Sequence, residues 1–374
     1  MHPSARFLSR EVSRAQTLSA PHPDANIAVV LFQLGGPDSL EAVEPFLFNL
    51  FSDPNIIDFP FARLGRPMLA RLVSRHRARH AREHYAAIGG RSPIRELTHR
   101  QARALEGQLR GALGLDARVF VAMRYWHPLT EEAVTNVVRG KFRELVLLPL
   151  YPHYSKTTTG SSLHEWERQY DARACDALPA RLVREFYNHP SYLRAVVERI
   201  NEGLERFSDA PSTTPEPPPQ SRRELWCGAA TDDVHLVFSA HGVPVAVIEA
   251  GDPYQAQIEE TVRLVMGCGG WANPHVLCWQ SRVAPGKWLE PSLQDTLRDL
   301  AGRGVKRVLV IPISFVTDHV ETLAEIDIGA RALAGRLGIE QFELMPALND
   351  SPTFIHALAD LVLAQVATLT AESS

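Results

Sequence analysis

Apolar residues in this chain gather into short runs separated by longer amphipathic stretches. Runs at residues 28–34, 118–125, 144–151, 234–240, 275–282 and 307–314 each end at glycine, proline or polar residues. Strand-like runs alternating with helical patterns predict βαβ units and parallel sheets. The six runs also form two sets of three. The run 28–34 stops at Gly35-Gly36-Pro37 and 234–240 at His241-Gly242-Val243-Pro244; 118–125 precedes His127-Pro128 and 275–282 precedes Ala284-Pro285. The third pair is 144–151 and 307–314. The expected architecture is α/β, with two Rossmann-like lobes, each a parallel sheet flanked by helices. The expected boundaries are a flexible extension at 1–26, a first lobe at 27–188, a second lobe at 189–350, and a helix within 351–374 packing back on the first lobe. A proline-rich insertion at 211–220 is too poor in backbone donors for helix or strand.

Composition narrows the function. The chain has 374 residues, 45% hydrophobic and 22% charged, with a formal net charge of −4. That balance is ordinary for a globular protein and lacks the basic surface of a nucleic-acid binder. One stretch departs from it. Residues 63–82 carry arginines at 63, 66, 71, 75, 77, 79 and 82 with a stripe of Met68, Leu69, Leu72 and Val73. It reads as an amphipathic helix with either a solvated basic face or a face for an anionic ligand or lipid surface. No apolar stretch reaches the roughly 20 residues of a membrane span, and the amino terminus lacks a signal-peptide core. A cytoplasmic location is expected, with no nucleic-acid partner. Cys175, Cys227, Cys268 and Cys278 form no Cys-x-x-Cys pair, so neither a disulfide framework nor a zinc knuckle is indicated.

Candidate chemistry collects after the apolar runs. Following 307–314 comes Phe315-Val316-Thr317-Asp318-His319-Val320-Glu321, then Glu325 and Asp327. Glu321 and Glu325, four apart, share a helix face, with Asp318 and His319 just upstream. Asp318-x-x-Glu321 also has the form of a capping box, and both roles can hold together. His241 sits at the end of another run, where Gly242 allows a sharp turn. Neutral imidazole suits borderline divalent metals and takes a proton near neutral pH. The hydroxyl-rich segment from Tyr154 to Ser162 predicts a turn leading into a helix near Leu163, either as an anion seat or as plain capping. Arg124-Tyr125-Trp126 and the stretch from Trp279 to Trp288 add aromatics and cations, a mixture suited to a large flat, partly anionic ligand. No dinucleotide fingerprint or Walker lysine is present.

These segments resemble the ferrochelatase family, whose members insert Fe(II) into a porphyrin at the end of haem biosynthesis. The resemblance rests on Leu34-Gly35-Gly36-Pro37-Asp38, Asn49-Leu50-Phe51-Ser52-Asp53, Ile88-Gly89-Gly90-Arg91-Ser92-Pro93 and Arg124-Tyr125-Trp126-His127-Pro128. It continues through Tyr154 to Ser162, Phe238 to Pro244, Gln280-Ser281-Arg282-Val283 with Trp288, and Ser314 to Asp327. It implies a chelatase-like fold with the porphyrin in a cleft between the lobes. It assigns His241 and Glu321 as the iron-binding and proton-accepting pair, with Glu325, His319 and Asp318 as an acidic path beside them. The arrangement expected from this is that His241 and Glu321 face each other across the pyrrole nitrogens. Leu34, Phe51, Trp288 and Phe315 match positions that wall the macrocycle. Arg124, Tyr125 and Thr157 lie in motifs near the porphyrin and its propionates.

The chain departs from the family in having Ala86-Ala87 before the Ile-Gly-Gly motif and Arg91 in place of a third glycine, where it could serve as a compensating cation. No prosthetic group is expected. Members with an iron–sulfur cluster supply cysteines from a carboxyl-terminal extension, whereas this chain has none beyond Cys278. The expected partners are the porphyrin and Fe(II) substrates, with peripheral membrane contact. The alternatives are a chelatase for another divalent metal or tetrapyrrole, coproporphyrin III among them, and a non-catalytic porphyrin or haem carrier. A carrier has no need of an acidic relay.

Overall fold

The computed structural model of the chain describes residues 26–56, 62–173, 178–207, 232–281 and 286–372. Residues 1–25 and the proline-rich stretch 211–220 lie outside them. The elements run β1 (Asn26–Gln33), α1 (Val43–Phe51), α2 (Ala62–Ala87), α3 (Ile94–Gly107), β2 (Asp116–Met123), α4 (Thr130–Arg139), β3 (Glu144–Pro149), α5 (Ser161–Asp171), β4 (Ala180–Leu182) and α6 (Pro190–Glu205). They continue with β5 (His235–His241), α7 (Val245–Glu249), α8 (Tyr254–Gly269), β6 (His275–Gln280), α9 (Leu293–Gly302), β7 (Arg307–Pro312), α10 (Arg331–Arg336), β8 (Gln341–Leu344) and α11 (Pro352–Glu372). Three further segments, Gln108–Ala112, Lys156–Gly160 and Glu321–Ala330, are π-helical. Asn26 opens β1, so the amino-terminal extension ends one residue earlier than its expected boundary.

Two parallel four-stranded sheets result, ordered β2-β1-β3-β4 and β6-β5-β7-β8. The orders are the same when each set is numbered from its first strand, which is the repeat the sequence pattern suggested. Inner strands are buried along nearly their whole length, Ile27–Gln33 in β1 and Leu236–Ala240 in β5 among them. Strands covered by helices on both faces require continuous apolar sequence rather than alternation. β4 and β8 were not expected. They are edge strands of 3 and 4 residues, too short and too polar to stand out.

The chain separates into two units. The first holds the described residues up to Tyr192, then Val316–Val320 and the residues from Asn349 on; the second holds Leu193–Phe315 and Glu321–Leu348. A single unbroken second lobe over 189–350 is therefore not what forms. Hydrogen bonds explain the exception: Asn349 N–H donates to Val316 O at 2.8 Å, and Gln101 Nε2 donates to Thr317 Oγ1 at 3.0 Å. In the first unit Phe32, Val30 and Leu147 pack with Trp166, whose ring meets Phe32 edge-on at 5.7 Å. In the second, Val237, Val308 and Val310 pack against Leu297 and Ile326. α11 belongs to the first unit and touches α3 and β3.

The basic helix forms, as α2, but its buried face differs from the expected stripe. Ala70, Ser74, Ala78 and Tyr85 are the buried positions, spaced about a turn or two apart along one side. Met68 is 82% exposed and Leu72 67%. Small residues at three of the buried positions let α2 lie close on α1, Tyr85 and Val73 pack into the same cluster, and Met68 and Leu72 are left outside. No helix among the described residues is long and apolar enough to cross a membrane.

Candidate active site

Parallel pairing sets the geometry of the second unit. His241, last in β5, lies opposite Gln280, last in β6, while Ser239 lies opposite Pro312, last in β7. His241 is pinned through its backbone. Its N–H donates to Ser314 Oγ at 3.0 Å, and the Tyr254 hydroxyl donates to its carbonyl at 3.0 Å. Gly242 is required for a reason other than a left-handed turn: its N–H donates to Gln280 O at 2.7 Å, and an added Cβ would stand 2.9 Å from that oxygen. The backbones approach too closely for a side chain.

Against this fixed imidazole stands the π-helical segment beginning at Glu321. His241 Nδ1 lies 2.8 Å from Glu321 Oε2, Gln280 Nε2 reaches the same oxygen at 3.4 Å, and Ser281 Oγ at 3.0 Å. Ser281 Oγ also lies 2.6 Å from Glu325 Oε2. Ser239 Oγ donates to Gln280 Oε1 at 2.7 Å, which turns the amide nitrogen toward Glu321. The segment follows the wider i→i+5 helix rather than the expected α-helix. Their common contact with Ser281 shows that Glu321 and Glu325 still share one side. The expectation that His241 and Glu321 face each other across a macrocycle is corrected. They are in direct hydrogen-bond contact, with no room for a flat ring between them.

The electrostatics follow from that contact. Burial opposes a charge on His241, but Glu321, through its charge and its hydrogen bond, and Glu325 outweigh it and raise the imidazole above its ordinary 6.5. The ring keeps 32% of its side-chain surface open to solvent, so its desolvation is partial. Edge-on to it, Phe315 has its ring centroid 6.2 Å away. Trp288, 5% exposed, bridges to Pro244 and flanks Gly242. These five expected residues, His241, Glu321, Glu325, Phe315 and Trp288, are gathered in the second unit.

The others fall in the first. Arg124 Nη2 meets Asp53 Oδ2 at 2.9 Å and Arg124 Nε donates to Ser161 Oγ at 2.9 Å. Tyr125 donates its hydroxyl to Asp53 Oδ2 at 2.6 Å, Ser161 donates to the same oxygen, and Asn55 N–H donates to Oδ1 at 2.8 Å. Burial alone would raise the Asp53 carboxyl, yet the Arg124 guanidinium and the hydroxyls hold it below its ordinary value. Its contribution to stability is therefore present above the ordinary carboxylate range and lost as pH falls through the lowered value. Tyr125 is 1% exposed with its hydroxyl committed to Asp53, whereas Arg124 keeps 14% of its side chain accessible. Leu34 and Phe51 pack with Tyr125 in one cluster, and Arg91 is exposed.

The hydroxyl-rich segment is helical rather than a turn. Ser155 caps it by accepting from Thr157 N–H at 3.2 Å, and Thr157 Oγ1 lies 2.9 Å from Ser155 Oγ. The helix thus begins well before Leu163, with Ser161 already its first α-helical residue. Asp318 and Asn349 form a reciprocal pair, Asn349 Nδ2 donating to Asp318 Oδ2 at 2.9 Å and Asp318 N–H to Asn349 Oδ1 at 3.0 Å. His319, 4% exposed, holds Thr317 O at 3.1 Å through Nδ1. Both belong to the first unit, while Glu321 begins the return to the second.

Sequence reasoning missed Asp53, Ser161, Ser281, Tyr254 and Ser314 as site residues. Asp53 and Ser281 lie inside quoted motifs, but nothing local reveals that one carboxylate is wholly buried or that one serine touches two others.

A two-sheet α/β protein with an imidazole–carboxylate site beside the carboxyl ends of the strands is the class defined here. The solved structure of SirB from Bacillus subtilis with Fe3+ shares this fold, with a TM-score of 0.52 at 10% identity over 92% of this chain and 98% of that one. A family model for ferrochelatase matches residues 26–366. Ferrochelatase of Thermosynechococcus vestitus is 47% identical over 336 residues, 89% of this chain and 81% of the relative. That of Gloeobacter violaceus is 46% identical over 344 residues, 91% and 97% of the two chains. The chain belongs to the ferrochelatase family.

Because Glu321 is what holds the His241 proton, Glu321→Gln should lower the imidazole midpoint, read from its ring C–H resonance in an NMR pH titration. A raised folded-state value means the pair stabilises fully below the ordinary histidine value, and this contribution is lost as pH rises through the folded value. The variant should lose this acid-side advantage in urea unfolding. An unmoved midpoint would contradict the assignment.

Proposed function

We propose that this protein inserts Fe(II) into protoporphyrin IX, releasing two protons and yielding protohaem, as the terminal step of haem biosynthesis. The observation that carries the reading is the His241–Glu321 contact of 2.8 Å with Glu325 tied to it through Ser281, on a chain of the ferrochelatase family. Metal insertion requires ligands that hold Fe(II) briefly and bases that receive two pyrrole protons. An imidazole and a carboxylate bind borderline divalent ions without the thiolates that would retain them. Glu321 is the proton acceptor nearest the imidazole, and Glu325 is next. An arriving cation disfavours the protonated imidazole, so iron entry and loss of the His241 proton are coupled. Glu325 then serves as the way out for protons, and Asp318 and His319 extend that path in the proposal.

Since His241 and Glu321 touch, the macrocycle lies to one side of the pair, with the Phe315 and Trp288 rings as apolar walls. Leu34 and Phe51 supply apolar surface in the first unit. Arg124, held by Asp53 and Ser161, is the cation for a propionate, and Arg91 and Thr157 are further candidates for that role. Tyr125 supports Arg124, whose guanidinium lies 5.0 Å above its ring. No prosthetic group takes part in this proposal; of the cysteines described, Cys278 is buried with its thiol pushed up to about 12, which makes it a poor cluster ligand, and Cys268 is exposed. Purified protein incubated anaerobically with Fe(II) and protoporphyrin IX should quench porphyrin fluorescence through turnover. His241→Ala should lower that rate about 100-fold or more while porphyrin still binds. Equal turnover by the variant would remove His241 from the mechanism. Turnover with coproporphyrin III or Co(II) alone would replace this reading by the other chelatase, and binding without turnover by a carrier.

We also propose a cytoplasmic enzyme that touches membrane peripherally through α2. Met68 and Leu72 project on the face opposite the buried residues, together with Arg75 and Arg79. Apolar side chains ringed by arginine suit an anionic lipid surface. The chain should sediment with phosphatidylglycerol vesicles at low salt, and Met68→Glu with Leu72→Glu should abolish this. Equal recovery of the double variant with the vesicles would contradict the role of that face.

A further inference from the structure

We infer that Ser281 is a positioning residue that clamps Glu321 and Glu325 together, an inference that rests on the chelatase reading above. Among the described residues, Ser281 and Asn349 alone adopt positive φ without being glycine, and Ser281 does so at 63°. Asparagine tolerates that region; serine has no such excuse. The conformation has a geometric consequence. Gln280 ends β6 opposite His241, and successive side chains of a strand point to opposite faces. Extended backbone at Ser281 would send its hydroxyl away from the face that Gln280 serves. The left-handed turn instead brings both consecutive side chains to Glu321 Oε2, Gln280 Nε2 at 3.4 Å and Ser281 Oγ at 3.0 Å.

The same hydroxyl lies 2.6 Å from Glu325 Oε2. Two carboxylates four apart on one helix repel each other, and nothing in the helix itself fixes their separation. A hydroxyl with one proton donates to one carboxylate and accepts from the other in its acid form, and that bridge ties the two together at 3.0 and 2.6 Å. Backbone strain is therefore held at one residue of the site, where it sets the spacing of the two acids. Ser281 touches neither substrate nor metal in this account; it acts through the carboxylates.

Ser281→Gly separates the role from mere stability, because glycine suits the backbone and removes only the hydroxyl. Its thermal midpoint should stay at or above that of the parent chain. The kcat for iron insertion should fall about 100-fold, the scale of an ångström-level misplacement, with the porphyrin KM little changed. Ser281→Ala should lose the same activity but with a lower midpoint than the glycine variant. A crystal structure of the glycine variant should show the Glu321 and Glu325 carboxylates separated. Full activity in the glycine variant, or carboxylates in unchanged positions, would overturn the clamp. A parent chain that inserts no metal would overturn the chelatase reading instead, and the carboxylate positions would still decide the clamp.

Discussion

In a parallel sheet every strand delivers its carboxyl end to the same edge, and the second unit is built on that constraint. With β5 hydrogen-bonded between β6 and β7, the residues that follow each strand must meet: His241 from β5, Gln280 and Ser281 from β6, Ser314 after β7. The apolar residues that make these strands buried on both faces also make the edge rigid. His241 inherits that rigidity through two backbone hydrogen bonds. Glu321 supplies the complementary charge from a helix whose wide turn needs support from outside, which Gln280 and Ser281 give.

The two units treat charge differently. In the first, the Asp53–Arg124 pair is nearly sealed, with 0% and 14% of the side chains exposed, and every acceptor site described on the carboxylate meets a donor. Removing one partner of so buried a pair leaves the other uncompensated, at a typical cost of about 3–5 kcal/mol. That arrangement holds a cation still. In the second, His241 and Glu321 are 32% and 17% exposed, and the imidazole is raised rather than silenced. A group that must gain and lose protons needs this partial access. In the proposed reading, the contrast separates a fixed binding element from a reactive one.

Much of this was legible in the sequence because burial on both faces writes itself as unbroken apolar runs. All six inner and neighbouring strands, β1, β2, β3, β5, β6 and β7, stand where those runs predicted them. The pairing of the runs announced two similar lobes, and the two sheets have like strand order. What could not be read depends on distant contacts. β4 and β8 are strands only because a longer strand lies beside them. Val316–Val320 joins the first unit through Gln101 and Asn349, which no local pattern shows. Met68 and Leu72 belong to the apolar stripe that marks α2 as amphipathic, yet Ala70, Ser74, Ala78 and Tyr85 are what α2 buries, a choice set by the elements packed against it. The π-helical winding at Glu321 and the left-handed Ser281 leave the amino-acid types unremarkable.

The claim at the centre is that one site in the second unit both receives the metal and takes up protons. Anomalous X-ray scattering from crystals soaked anaerobically with Fe(II) tests it most directly. The account predicts a peak about 2.2 Å from a His241 ring nitrogen and a Glu321 carboxylate oxygen, with their 2.8 Å contact opened to admit the ion. A metal bound elsewhere in the chain, with the His241–Glu321 hydrogen bond intact, would contradict it.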